Sequence, residues 1–255
     1  MSKPDYAQTV KVARSEVGYL EKKSNSKLNS KTANAGYNNY TKYGRDMHKL
    51  YPAVMDFPAA WCDCFVDWCI YQACGMASVD AKTALCGNFD DYTVASADYY
   101  KAKKRWGTKP KLGAQVFFKD SNGGICHTGI VFAYGPTQVR TVEGNTSSSP
   151  GVVANGGCVA EKAYNIDYSR IAGYGYPKYS NTPIEPGTYT ASAKLSVRVD
   201  TKGTAKKVCT AKKGAKMQIT AVRINTAGNV WGYANNLGGW VCMLTSTGTR
   251  CTKSK

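Results

Sequence analysis

The sequence predicts an α+β chain that continues into a small all-β unit. Three observations carry this. Apolar residues at helical spacing are confined to the first hundred or so residues, short β-rich runs take over after Pro110, and a Pro-containing stretch precedes a second series of closely spaced strands. At 255 residues the chain has room for one or two packed domains. With 25 Gly and 9 Pro it is neither collagen-like nor mainly disordered.

Tyr6 to Leu20 reads as an amphipathic helix, with Val10, Ala13 and Val17 on one face and Gly18 weakening its end. Ser24 to Asn39 is polar and reads as a loop. Trp61 to Ala77 is a second helix, with Phe65, Cys69 and Ala73 recurring every three to four residues, and Ala95 to Lys103 a shorter third. Ala114 to Phe118, Thr128 to Tyr134 and Thr137 to Glu143 are strands, the last two joined as a hairpin through Gly135-Pro136, and Asn155 to Tyr164 adds an edge strand. Leu195 to Val199, Lys216 to Arg223, Val230 to Ala234 and Gly239 to Met243 then alternate with turn residues, as in a small β-barrel. The boundaries read as 1–180 for the α+β domain, 181–186 for a linker and 187–255 for the barrel.

Charge and composition narrow the function. The net charge is +17, from 34 Lys and Arg against 17 Asp and Glu. Residues 181–255 hold 12 of the basic and only 2 of the acidic residues, so the tail is the strongly basic part. Such an excess attracts polyanions: nucleic acid, anionic lipid or an acidic cell wall. No 18-residue apolar stretch exists to span a membrane, and the start, Met1 to Tyr6, has no apolar export signal. The ten cysteines, at 62, 64, 69, 74, 86, 126, 158, 209, 242 and 251, lack the paired C-x2-C spacing of a zinc site and read mostly as small buried apolar residues.

A thiol nucleophile needs a base, a group that orients the base, and surroundings that favour thiolate. Cys62 opens the apolar helix, where unpaired N–H groups and the macrodipole favour an anion and lower a thiol below its usual ~8.5. The alternative is one more packing cysteine. His48 lies in a polar stretch and reads as a surface histidine, whereas His127 opens an apolar strand that would hold its ring rigidly. Period-two geometry places Glu143 and Asn145 on one face of the next strand, within reach of His127. Glu143 would fix the imidazole tautomer and Asn145 would add a hydrogen bond. The competing reading of Glu143-Gly144-Asn145 is a solvated strand end.

Trp61-Cys62-Asp63-Cys64-Phe65-Val66-Asp67-Trp68, His127-Thr128-Gly129-Ile130-Val131 and Thr141-Val142-Glu143-Gly144-Asn145-Thr146, taken in order, resemble the CHAP group of the NlpC/P60 cysteine peptidases. The resemblance covers roughly residues 5–179, and the approach Pro110 to Phe118 shares it. It implies a papain-like domain of helices packed on an antiparallel sheet, with Cys62 as nucleophile, His127 as base, Glu143 as its orienter and Asn145 as a fourth polar residue. Two departures are Ala114, where the family commonly has Asp, and Cys64, where it has Ala. A second thiol so close would trap the nucleophile oxidatively. Some relatives bind calcium through an acidic cluster before the nucleophile. Asp56 is the one carboxylate in that stretch, so no metal is expected, and no other cofactor is implied.

The tail resembles a bacterial SH3b wall-binding domain through Leu195-Ser196-Val197-Arg198, Lys212-Lys213-Gly214, Val230-Trp231-Gly232-Tyr233 and Gly239-Trp240-Val241. Trp231 and Tyr233 are the groove candidates, and Trp240 reads as core. Together the two resemblances imply an endolysin-type peptidoglycan hydrolase. It would be monomeric, would cleave the N-acetylmuramoyl-L-alanine amide in slight preference to a stem or cross-bridge peptide bond, and would bind anionic wall polymers. It would be made in a host cytoplasm and released to the wall through holin-type pores. A non-catalytic wall-binding protein would not need Cys62 and His127. A nucleic-acid-binding protein would explain the charge, but the recognition motifs of that class are missing from the sequence, and it would leave the Cys–His–Glu order unexplained.

Overall fold

The structure, a computed structural model, describes residues 4–254, so the first three residues of the opening stretch lie outside it. Five helices come first: α1 (Tyr6–Ser15), α2 (Lys42–Leu50), α3 (Cys62–Ala73), α4 (Ser78–Leu85) and α5 (Thr93–Ala102). Six strands follow: β1 (Trp106–Gly107), β2 (Gln115–Lys119), β3 (Ile125–Tyr134), β4 (Gln138–Thr146), β5 (Cys158–Asn165) and β6 (Ile171–Gly175). Eight more complete the chain: β7 (Gly187–Ala191), β8 (Leu195–Arg198), β9 (Lys207–Ala211), β10 (Lys216–Ile224), β11 (Val230–Ala234), β12 (Gly239–Thr245), β13 (Gly248–Thr249) and β14 (Cys251–Lys253).

The α+β order is as expected, with differences at the weaker signals. Asp5 caps α1 by accepting from the N–H groups of Ala7 and Gln8. The helix stops at Ser15 rather than Leu20, because Gly18 and Leu20 donate their N–H groups to Val159 and Lys31 carbonyls instead of to a further turn. α2 and α4 were not expected. The first six strands pair antiparallel in the order β1-β6-β2-β3-β4-β5, and β3 and β4 form the expected hairpin.

α3 lies against β3 and β4 and has α1, α2, α4 and α5 as its other neighbours. It is the central helix, and ten of its twelve residues are buried. Its aromatic surroundings are close: Tyr43 stacks on Trp61 at 5.4 Å and meets the edges of Phe65 and Trp68.

The later strands also pair antiparallel, β10 with β7 and β11, β11 with β12, and β12 with β8. β10 pairs in addition with the end of β3, through Val222 with Tyr134 and Arg223 with Ala133, so the second strand set is continuous with the first. The stretch read as a linker is pinned: Asn181 Nδ2 donates to Asp5, Ile184 N–H donates to Tyr6 Oη, and Glu185 pairs with Lys111 at 3.0 Å. Its Pro and Asn content marked a break in regular structure, not a free hinge.

Candidate active site

Cys62 is the first residue of α3. No side chain caps this helix, and the backbone N–H groups of Cys62 and Asp63, together with that of Thr128 from β3, favour the charged form of the Cys62 thiol. The third of these N–H groups follows His127 directly in the chain, which brings β3 near the thiol. His127 is fully buried. Its Nε2 lies 2.9 Å from Glu143 Oε2, and its ring stacks on Phe118. An ionised carboxylate only accepts, so Nε2 holds the ring proton and Nδ1 keeps a lone pair. That Nδ1 is buried and has no hydrogen-bond partner.

Two glycines make this packing possible. A Cβ at Gly129 would lie 2.5 Å from Cγ of Glu143, so only glycine lets that side chain cross β3 towards His127. A Cβ at Gly144 would lie 2.6 Å from Cβ of Phe65 and 2.9 Å from Trp61, so glycine also brings β4 onto the start of α3.

Glu143 is held from several sides. Thr141 Oγ1 donates to Oε1 at 2.6 Å, and Tyr164 Oη donates to Oε1 at 2.9 Å. Both residues were missed in the sequence. Thr141 shares the face of Glu143 by strand alternation and carried a usable signal. Tyr164 comes from β5, whose register against β4 is not written locally.

The thiol is not in the state its helix position suggests. Burial pushes the Cys62 pKa up to about 12, Asp63 beside it adds to this, and the three backbone N–H groups only partly oppose it. The thiolate-favouring position was legible, but the removal of water was not: Cys62 is 6% exposed.

Asn145 also departs from expectation. It is fully buried at a φ of +51°, where β4 bulges away from β5, and neither its Oδ1 nor its Nδ2 has a hydrogen-bond partner. The expected hydrogen bond from its side chain is not formed, because the bulge takes the amide out of the regular alternation.

Around Cys62 lies a second layer of buried polar groups. Asp63 accepts from Ser96 Oγ at 2.6 Å and from Gln115 Nε2 at 2.8 Å, and burial raises its pKa to about 7. Burial also raises Asp67, whose Oδ2 accepts from the Asp90 N–H while Oδ1 has no partner. Cys64 stands two residues along the helix from Cys62 and so points to another side, into the core cluster with Cys69. It is not placed to trap the nucleophile. All ten cysteines are free thiols. His48 is half-buried on α2, with Nδ1 2.5 Å from the Met55 carbonyl oxygen, rather than a surface residue. Among the described residues no group of three or more His, Cys, Asp or Glu is arranged to hold a metal ion, and no helix is long and apolar enough to cross a membrane.

With these groups in place, comparison with known proteins gives one clear result. Residues 54–145 match the CHAP domain. The matched segment contains Cys62, His127, Glu143 and Asn145. No curated protein matches the chain. Two solved structures of a protein called Ly7917 are similar to it. One, with the hydrolysing product of MDP, has 18% identity over 98% of both chains and a TM-score of 0.38. The other has 15% identity over 98% of this chain and 97% of that one, with a TM-score of 0.37.

In the tail, Trp231 does not fit the groove expected of it. It is 4% exposed and lies in β11, between β10 and β12. Tyr233 is half-buried and meets Trp240 edge-on at 5.5 Å. Trp240, expected in the core, is half-buried under the Arg223 guanidinium and lines a cleft of about 290 Å³ against the β3–β4 turn.

Proposed function

We propose that the chain is a cysteine-dependent peptidoglycan hydrolase. The observation that carries this reading is the buried His127–Glu143 pair at 2.9 Å, whose Nδ1 is open and whose chain neighbour Thr128 carries an N–H that acts on the Cys62 thiol. The CHAP match over the same residues supports it.

Because the resting thiol is protonated, attack and proton transfer are coupled. As Cys62 sulfur bonds to the amide carbon, its proton passes to His127 Nδ1, and the imidazolium formed is held by Glu143. The backbone N–H of Cys62 is the donor assigned to the developing oxyanion, a contribution of about 10²–10³ in rate for such a group. His127 then gives the proton to the leaving amine and activates water against the thioester. The bond assigned is the N-acetylmuramoyl-L-alanine amide in preference to a stem or cross-bridge peptide bond. The strands from residue 187 on are assigned as an SH3b-type wall-binding unit that holds the enzyme at its insoluble substrate.

Mass spectrometry of digested peptidoglycan tests this. A new N-terminal alanine is the expected product, and any other new terminus makes the enzyme an endopeptidase. Cys62→Ala should lower turnover about 10⁴-fold or more. A Cys62→Ala protein that still cleaves walls at the parent rate refutes the assignment.

A further inference from the structure

A large basic concavity lies away from the reacting groups. Six of the eleven residues from Lys101 to Lys111 are Lys or Arg and none is acidic. The fold brings part of this run, at the end of α5, against the end of α4 and the segment after β6. The result is a groove of about 830 Å³ that contains Lys82, Lys103, Lys104, Arg105 and Lys178 and no acidic residue. None of these five cations forms an ion pair among the described residues. A neighbouring cavity of about 320 Å³ shares Lys104 and Arg105 and ends at Tyr176, Tyr179 and Lys111, whose charge is already paired with Glu185.

The walls are tied down. Lys178 N–H donates to the Ala84 carbonyl at 2.8 Å, and Tyr176 N–H donates to the Arg105 carbonyl at 2.8 Å. The Arg105 guanidinium donates Nε–H to the Tyr176 carbonyl and an Nη2–H to that of Pro177. That spends much of the planar fork that would grip a carboxylate in two places. What remains is a row of point charges, which suits spaced monoanions. No aromatic side chain lines the 830 Å³ groove, so it offers no platform for stacking the bases of a single-stranded nucleic acid. Thr83 and Asn88 are there for hydroxyl groups instead.

We propose that this groove binds a flexible polyol-phosphate polymer of the bacterial wall, a phosphodiester chain, and so gives the α+β region a wall anchor of its own. The polymer's source rests on the peptidoglycan reading above; its chemistry rests on the groove. The site leaves Cys62 free. Ser96, bonded to Asp63 beside the nucleophile, is on the first half of α5, whereas Lys103 lies seven residues further on, about 10 Å along the axis.

The test uses the full chain carrying Cys62→Ala, so that binding is read without hydrolysis, and poly(glycerol phosphate) as the probe. Lys103→Glu/Lys104→Glu/Lys178→Glu should weaken binding tenfold or more at 0.1 M salt. It should also lower the slope of log affinity against log salt by about 2, at roughly 0.7 per lost phosphate contact. The Lys→Arg triple should bind like the parent. Wall sediments stripped of phosphodiester polymer by hydrofluoric acid should bind both triples alike. Should the Glu triple unfold, single Lys103→Gln and Lys178→Gln variants should each lose about threefold. Unchanged binding in the Glu triple, or in both singles, overturns the proposal. So does duplex DNA that competes at or below the concentration of poly(glycerol phosphate), which would make the ligand a nucleic acid. A chain that binds the probe through these lysines yet releases no peptidoglycan product would refute the hydrolase reading and leave the groove assignment standing.

Discussion

The region around α3 and the β3–β4 hairpin buries its polar groups, and the strands from residue 187 on do not. Asp63, Asp67, Gln115, His127, Thr141, Glu143 and Asn145 are all essentially inaccessible in the first. In the second, the buried set is Leu195, Val197, Met217, Ile219, Val222, Ile224 and their like, with Thr201 as the polar exception. Burying a polar group costs free energy unless it is hydrogen-bonded, and burying a charge costs more. On the proposed reading, this cost is concentrated around the reacting pair Cys62 and His127. The tail carries its charge on the outside, where it costs little and attracts anions.

The contrast is broken most severely at Glu143. Glu143→Gln keeps the shape and removes the charge that holds the imidazolium, so turnover should fall about 10³-fold with the fold intact, measured by release of soluble wall fragments at constant thermal midpoint. A loss below tenfold would show that the buried carboxylate is structural. Next in size is Trp231→Ala in the tail. Because Trp231 is core rather than groove, the substitution should cost about 3–5 kcal/mol in chemical denaturation. Tyr233→Ala, at a half-buried position, should cost much less and report on wall binding alone. Equal destabilisation by the two would remove the distinction between them.

A smaller effect comes from the paired acids on α3. Asp63 is raised from its ordinary 3.8 to about 7 by burial, and Asp67 moves the same way. The folded state therefore keeps protons that the unfolded chain has released. Their contribution to stability is fully present below about pH 3.8 and is lost as pH rises through about 7. Urea midpoints should fall over that window. Asp67→Asn should flatten the fall, since its amide keeps the oxygen that accepts from the Asp90 N–H. A flat profile in the parent would mean that these acids are ionised in the folded state.

How much of this was legible follows from where each signal resides. α3, β3 and β4 stood out because their apolar periodicity is local and Gly135-Pro136 marks the turn between the strands. α2 did not, because Lys42–Leu50 is mostly polar, contains Gly44, and buries only Tyr43, Gly44 and Met47. β6, with two glycines in five residues, becomes a strand by pairing with β2 and β1, each more than fifty residues away. In the site, the three residues Cys62, His127 and Glu143 could be ordered from sequence, but the burial that raises the thiol depends on Gly129 and Gly144 drawing remote segments together. Trp231 and Trp240 were interchanged because alternation assumes one wet face. β11 is covered on both, and four of its five residues are buried.

The smallest expected effect is at Asn145, and it asks whether a buried polar group without a partner serves stability or chemistry. Its amide makes no hydrogen bond, and its backbone sits at a φ of +51°, where glycine is at ease. Asn145→Gly removes the unsatisfied amide and suits the backbone, so stability should hold to within about 1 kcal/mol or rise. Asn145→Ala removes the same amide but keeps a Cβ at positive φ, and should be the less stable of the two by about 1 kcal/mol. If the amide serves turnover, both variants should lose activity equally, by less than Glu143→Gln does, because Asn145 does not touch the His127–Glu143 pair. If activity instead tracks stability, with glycine active and alanine impaired, Asn145 is there for its backbone. Steady-state turnover of the two variants at matched folded fraction decides between these. Full activity in Asn145→Gly would remove Asn145 from the catalytic set while leaving Cys62, His127 and Glu143 in it.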